Sequence, residues 1–121
     1  MSIRFLNKRI HAYLDYPVAV GLVVLPFLLG IGSVNATAVT LSVATGAAAF
    51  VLTLLTDHEL GFWRVIPFRV HEAVDGLVGV GFLAAPFVFG FSGLDAAYFW
   101  VLGATVVAVL ALTDRRAEAT G

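Results

Sequence analysis

The chain of 121 residues contains no cysteine, and only 12% of its residues are charged. Without cysteine, disulfides, thiolate metal sites and cysteine nucleophiles are all excluded. So little charge excludes a soluble globular domain, because such a domain needs a polar surface. No serine stands in a nucleophile elbow, no glycine-rich phosphate loop is present, and the basic residues are too few for nucleic-acid binding. An enzymatic function is therefore not expected.

Hydrophobic residues make up 60% of the chain, and its mean hydropathy is +0.99. A helix needs about 20 apolar residues to cross the hydrocarbon core of a bilayer. Charged side chains are absent from three long stretches, Tyr16 to Thr56, Gly76 to Leu94 and Ala96 to Thr113. The first stretch is long enough for two helices and divides at a turn-like segment, 32–35. We predict an all-α protein in the lipid bilayer, with transmembrane helices near 13–32, 36–55, 73–91 and 96–113.

An internal duplication relates the two halves of the chain. Residues 11–30 align with residues 71–90, and eight of the 20 positions are identical. The identical residues in the first copy are His11, Asp15, Val18, Val20, Gly21, Pro26, Phe27 and Gly30. Further along, Gly46, Thr56 and Asp57 align with Gly103, Thr113 and Asp114.

We interpret the chain as a single membrane domain, 1–121, made of two tandem helical hairpins. Repeat 1 covers 11–57, repeat 2 covers 71–114, and an interfacial loop, 57–70, joins them. Each repeat has an even number of spans, so both have the same orientation in the membrane. The predicted four-helix bundle then has a pseudo-two-fold axis along the membrane normal.

The seven basic residues indicate the topology. They all lie in the N-terminal segment, the central loop or the C-terminal tail. The positive-inside rule assigns these regions, and so both termini, to the cytoplasmic side. Aromatic residues near the predicted outer ends, among them Phe91, Tyr98, Phe99 and Trp100, are expected at the membrane interface.

We predict structural roles for several residues inside the helices and at their ends. Pro26 and Pro86 should kink their helices, because each removes a backbone hydrogen bond and frees the carbonyl four residues earlier, at Leu22 and Phe82. Small residues spaced four apart, Ser42 with Gly46 and Ala104 with Ala108, predict close helix packing. Asn35 and Asp95 suit the N-caps of the second and fourth helices.

The motif His-x-x-x-Asp occurs twice, as His11 with Asp15 and as His71 with Asp75. A spacing of four residues puts both side chains on one face of a helix. Because the motif recurs in both repeats, the two pairs are expected at the same depth, near the cytoplasmic boundary. Ionisable groups within a membrane are costly and therefore indicate a function.

Three hypotheses follow for these four residues. In the first, they fix the inner helix ends of a non-enzymatic module that forms a homo-oligomer or supports a partner. In the second, they handle protons or bind a cation, because imidazole nitrogen with carboxylate oxygen suits Zn, Mn or Fe. In the third, His11 and His71 ligate a haem from opposite sides.

The segments 25–31 and 85–91, which read LPFLLGI and APFVFGF, resemble the hallmark of SPW-repeat membrane proteins. Leu25-Pro26-Phe27 and Ala85-Pro86-Phe87 stand where that family has Ser-Pro-Trp. The flanking His/Asp segments and the 60-residue period resemble two-repeat members. The resemblance implies a bacterial or archaeal plasma-membrane protein with two helical hairpins. It implies no activity.

Overall fold

The computed structural model describes residues 8–57 and 61–113. Its four α-helices are α1 (Lys8–Leu29), α2 (Ala36–Leu55), α3 (Phe68–Phe89) and α4 (Gly93–Leu112). Each of them is long and apolar enough to cross a membrane. The described part of the chain contains no β-strand, only an isolated bridge between Thr56 and Ile66. The predicted all-α, four-helix, multi-pass membrane protein is therefore confirmed, while the pseudo-two-fold axis stays a prediction.

Helix α2 has the predicted bounds, but α1 and α3 each begin five residues before the predicted 13 and 73. The predicted spans included Asp15 and Asp75 but left out His11 and His71. In the structure these groups face one another inside the bundle, so the helices include them. At their other ends, α1 and α3 stop at Gly30 and Gly90, whose φ angles of 73° and 71° are left-handed. Glycine adopts that conformation without strain and commonly ends helices.

Some predicted features lie outside the described residues. These are Asp114, the partner of Asp57 in the repeat alignment, and the basic residues Arg4, Arg115 and Arg116.

The N-cap prediction holds for only one of its two residues. Asn35 caps α2, since its side-chain oxygen accepts a hydrogen bond from the Thr37 N–H at 3.0 Å. Asp95 does not cap α4, because that helix starts earlier and its N-cap is Ser92. Asp95 is instead buried in the first turn of α4, where it accepts a hydrogen bond from the Gly32 N–H at 3.1 Å. It therefore connects the two hairpins.

Within each hairpin, a glycine lets two helix backbones approach closely. A Cβ atom on Gly46 would lie 2.8 Å from the Ala19 carbonyl oxygen, and one on Gly103 would lie 2.9 Å from that of Gly79. Ala104 and Ala108 are exposed, so the α3–α4 contact uses Gly103 rather than that pair. The two helices of a hairpin pack along each other, whereas contacts between hairpins are few.

A hydrophobic core joins the hairpins at the end of the bundle that holds the α1–α2 and α3–α4 turns. It consists of Leu22, Ile31, Ala38, Phe82, Ala85, Phe91, Ala96, Tyr98 and Phe99. Phe91, Tyr98 and Phe99 are buried within the bundle, while their position at the membrane interface stays a prediction. The Phe99 ring contacts the rings of both Phe91 and Tyr98 near the turn between α3 and α4.

The carbonyl freed by Pro26 has a partner in this core. Pro26 and Pro86 lie inside α1 and α3, which continue as helices beyond them. The Ser42 hydroxyl donates to the Leu22 carbonyl at 2.7 Å. Since that uses the only proton of Ser42, the Tyr98 hydroxyl must donate to Ser42 Oγ, 2.6 Å away. This chain of hydrogen bonds links α1, α2 and α4, and the kinks themselves stay a prediction.

The close approach at Gly46 gives a testable expectation. We expect Gly46→Ala to lower the free energy of unfolding in detergent by about 1–3 kcal/mol, because the added methyl group overpacks the α1–α2 contact. Thermal unfolding followed by tryptophan fluorescence would measure this. Gly81→Ala is the matched control, since nothing lies within 4 Å of the Cβ position there. Equal melting temperatures for the two variants would contradict the assigned role of Gly46.

Candidate metal centre

The structure brings together all four residues of the two His-x-x-x-Asp motifs. His11 and Asp15 come from α1, and His71 and Asp75 come from α3. One ligand atom from each residue lies within 4.8 Å of those of the other three. Both histidines are buried, with 1% and 2% of their side-chain surfaces exposed, and the two carboxylates are 12% and 20% exposed. We call these four residues the His/Asp cluster.

Each histidine presents the same nitrogen, Nε2, to both carboxylates. His11 Nε2 lies 3.2 Å from Asp15 Oδ1 and 3.1 Å from Asp75 Oδ2. His71 Nε2 lies 3.3 Å from Asp15 Oδ2 and 3.3 Å from Asp75 Oδ2. Each histidine therefore contacts the aspartate of its own helix and the aspartate of the other helix. The cluster joins the two hairpins.

The other ring nitrogen of each histidine contacts a threonine of the other repeat. His11 Nδ1 lies 2.8 Å from Thr113 Oγ1, at the end of α4. His71 Nδ1 lies 2.7 Å from Thr56 Oγ1, at the end of α2. Both threonines are C-caps, and both are fully buried. The histidine of each hairpin is thus held by the helix end of the other.

The threonines determine which nitrogen carries the proton. The Thr56 hydroxyl donates to the Leu52 carbonyl at 2.6 Å, and the Thr113 hydroxyl donates to the Val109 carbonyl at 2.7 Å. A hydroxyl has only one proton, so each threonine oxygen can only accept from its histidine. Nδ1 therefore carries a proton in both rings. The two Nε2 atoms are left facing the carboxylate oxygens.

A neutral imidazole protonated at Nδ1 has a lone pair on Nε2. That lone pair would repel a carboxylate oxygen about 3 Å away. The geometry requires a positive species between them, which is either a proton on each Nε2 or a metal ion. Fixing of the metal-binding tautomer by a hydrogen bond from the other ring nitrogen is general among histidine ligands.

One carboxylate oxygen of the cluster is left without a hydrogen bond. Asp15 Oδ2 is buried, and no described residue donates a hydrogen bond to it. His71 Nε2 lies 3.3 Å from it, the distance of an ion pair if that ring is protonated. A buried carboxylate oxygen without a donor is costly unless a positive charge lies beside it.

The surroundings fix the positions of the cluster residues. The loop after α2 folds back on that helix, with the Asp57 N–H donating to the Ile66 carbonyl at 2.7 Å. This holds Thr56 beside the start of α3. Phe68, the first residue of α3, is buried with its ring edge against His11, the ring centroids being 5.3 Å apart. The cluster is therefore closed on that side by an aromatic ring.

Sequence reasoning identified the four cluster residues but missed Thr56 and Thr113 as their partners. The signal was present, because these threonines occupy equivalent positions in the two repeats. Their role depends on helix ends that come together only in the folded bundle. His58 and Glu59, which adjoin Asp57 in the sequence, lie outside the described residues.

Comparison with known proteins gives one match. The family model described as SPW repeat domain matches residues 9–114, nearly the whole chain. No curated protein and no solved structure matches the chain. The matched range includes every residue of the cluster and both threonines.

The threonine contacts generate a prediction. We expect Thr113→Val to lower the free energy of unfolding by about 1–3 kcal/mol, because the Nδ1–H of His11 loses its buried acceptor. Thr105→Val is the control on the same helix, since the exposed Thr105 hydroxyl bonds to its own helix at Val101. Thermal unfolding compares the two variants, and ¹⁵N NMR of the imidazoles reports the tautomer. Retention of the Nδ1–H tautomer in Thr113→Val would contradict the assigned role of Thr113.

Proposed function

The chain belongs to the SPW repeat domain family, and we propose that it binds a divalent transition-metal ion through His11, Asp15, His71 and Asp75. The observation that supports this most is the direction of the two Nε2 atoms. Both Nε2 atoms point at carboxylate oxygens, an arrangement that needs a metal ion between them or a proton on each Nε2. The site lies inside a membrane bundle and is made of one His/Asp pair from each repeat.

The distances within the cluster are close to those between the ligand atoms of a metal ion. In a tetrahedral site with metal–ligand bonds of about 2.0–2.1 Å, neighbouring ligand atoms lie about 3.3 Å apart. The four Nε2-to-oxygen distances are 3.1–3.3 Å. Charge-assisted hydrogen bonds from imidazolium to carboxylate are shorter, about 2.7–2.9 Å. These contacts use both oxygens of Asp15, and one ligand atom from each of the four residues lies within 4.8 Å of the others, close enough to surround one ion.

The charges and ligand types also favour a transition metal. Two carboxylates and a dication together are neutral, which lowers the cost of placing charged groups within a bilayer. Two imidazole nitrogens favour Zn, Fe or Mn over Ca and Mg, which prefer oxygen ligands. The Nδ1–H bonds to Thr56 and Thr113 supply the outer contacts that orient metal-bound histidines.

The haem hypothesis fits the cluster less well. A haem held by His11 and His71 would need an open plane between their Nε2 atoms for the porphyrin ring. The carboxylates of Asp15 and Asp75 lie next to both Nε2 atoms and occupy that space. The same residues that complete a metal site thus obstruct a porphyrin.

The proposal also includes the side of the membrane on which the site lies. The distribution of the basic residues supports cytoplasmic termini, which puts the His/Asp cluster at the cytoplasmic mouth of the bundle. The family supports a bacterial or archaeal plasma membrane. Self-association of the chain stays a prediction from its sequence.

Metal analysis of the purified protein tests the proposal. We expect the detergent-solubilised chain to bind one Co²⁺ per chain and to show the intense visible absorption of tetrahedral Co²⁺. Asp75→Asn should lose this signal or weaken Co²⁺ binding at least tenfold, because it removes one ligand charge. The control is Asp95→Asn, which changes a buried carboxylate in the first turn of α4, away from the cluster.

The competing hypothesis makes the opposite prediction. If two imidazolium rings paired with two carboxylates serve only to fix helix ends, Co²⁺ would neither bind stoichiometrically nor raise the melting temperature. Asp75→Asn would then destabilise the protein without changing any metal content. That result, with no stoichiometric Zn, Mn or Fe by elemental analysis, would overturn the metal proposal.

A further inference from the structure

A cavity of about 510 Å³ lies between the two hairpins. All four helices contribute to its walls. It exists because the hairpins touch mainly at two places, the hydrophobic core at one end and the His/Asp cluster at the other. Its volume is in the range of sites that hold small organic ligands, about 300–1,000 Å³.

Away from the His/Asp cluster the walls of the cavity are mostly apolar, with Thr45, Thr53 and Thr105 as the polar exceptions. On one side α2 presents small side chains, Ala44, Ala48 and Ala49, which leave space. On the other side α4 presents the larger Val106 and Val109. Apolar cavities stay free of water, so the natural occupant of this space is lipophilic. The cavity is only partly enclosed, which gives such a molecule a route in from the bilayer.

One end of the cavity is the His/Asp cluster, since all four of its residues line the wall there. The threonines behind the rings, Thr56 and Thr113, do not line it. The cavity therefore meets the side of the cluster on which the ligand atoms lie. An ion held there has one face towards the cavity, and the remaining contacts are made by protein.

We propose that the cavity binds a lipophilic molecule with an oxygen donor at one end, which coordinates the ion while the apolar part lies along the cavity. This inference rests on the proposed metal binding. Four protein ligands leave room for such a donor, because Zn²⁺ can expand to five ligands and Mn²⁺ takes six. The ion and two carboxylates are neutral together, so the site does not repel an oxygen donor that is neutral or negatively charged.

The test uses two probes with the same tail, decanoic acid and decane, added to the Co²⁺-loaded chain in lipid nanodiscs. Decanoic acid should weaken and shift the visible Co²⁺ absorption, because coordination increases beyond four. Decane has no donor atom and should leave the spectrum unchanged. Saturation of the change at one equivalent of bound decanoic acid per chain is the expected stoichiometry.

A variant that fills the cavity separates ligand binding from metal binding. Ala48→Phe should retain the tetrahedral Co²⁺ spectrum, which also reports that the cluster is folded, and should weaken the response to decanoic acid at least tenfold. Ala47→Phe is the matched control, because Ala47 is exposed and does not line the cavity. Ala44→Leu, at a second position in the wall, should act in the same direction as Ala48→Phe.

The outcomes distinguish the two proposals. A Co²⁺ spectrum that does not respond to decanoic acid, or responds equally in Ala48→Phe and Ala47→Phe, would overturn the ligand proposal and leave the metal site standing. An equal response to decane would also overturn it, since the oxygen donor would then have no role. A chain that binds no Co²⁺ would overturn both.

Discussion

The hydrogen bond between each histidine and a threonine of the other repeat is the contact on which the rest of the site depends. Because the threonine hydroxyl proton is already donated to a backbone carbonyl, the ring can only donate, which directs Nε2 to the carboxylates. The same two bonds, from His11 to Thr113 and from His71 to Thr56, tie the start of one hairpin to the end of the other. A single local constraint thus sets both the tautomer and the relative position of the hairpins.

The second joint between the hairpins is built differently. There, aromatic and aliphatic side chains pack together, and Asp95 and Asn35 each bond to the backbone of the other hairpin, at Gly32 and Phe89. Between the two joints the hairpins have few contacts. A bundle joined at its two ends and lined by small side chains on α2 necessarily leaves a space in the middle. The cavity follows from where the contacts are, rather than from any one residue.

Much of this could be predicted from the sequence, for reasons that differ by residue. The four helices follow from apolar runs, and the four cluster residues follow from a spacing of four that recurs in both repeats. The repeat alignment pairs Thr56 with Thr113, but it does not show their role, because that role depends on two distant helix ends that meet only in the folded bundle. The burial of Tyr98 and the cross-hairpin bond of Asp95 were missed because they depend on how the hairpins face one another.

A purely structural role leaves part of the cluster unexplained. Buried ion pairs add little stability compared with well-packed apolar residues, and in a bilayer an apolar replacement is still less costly. Asp15 Oδ2 accepts no hydrogen bond from the described residues, although His71 Nε2 lies 3.3 Å from it. A divalent ion would satisfy that oxygen, balance both carboxylates and use both Nε2 lone pairs. In the proposed binding site, the threonines would hold the ligands in place before the ion binds.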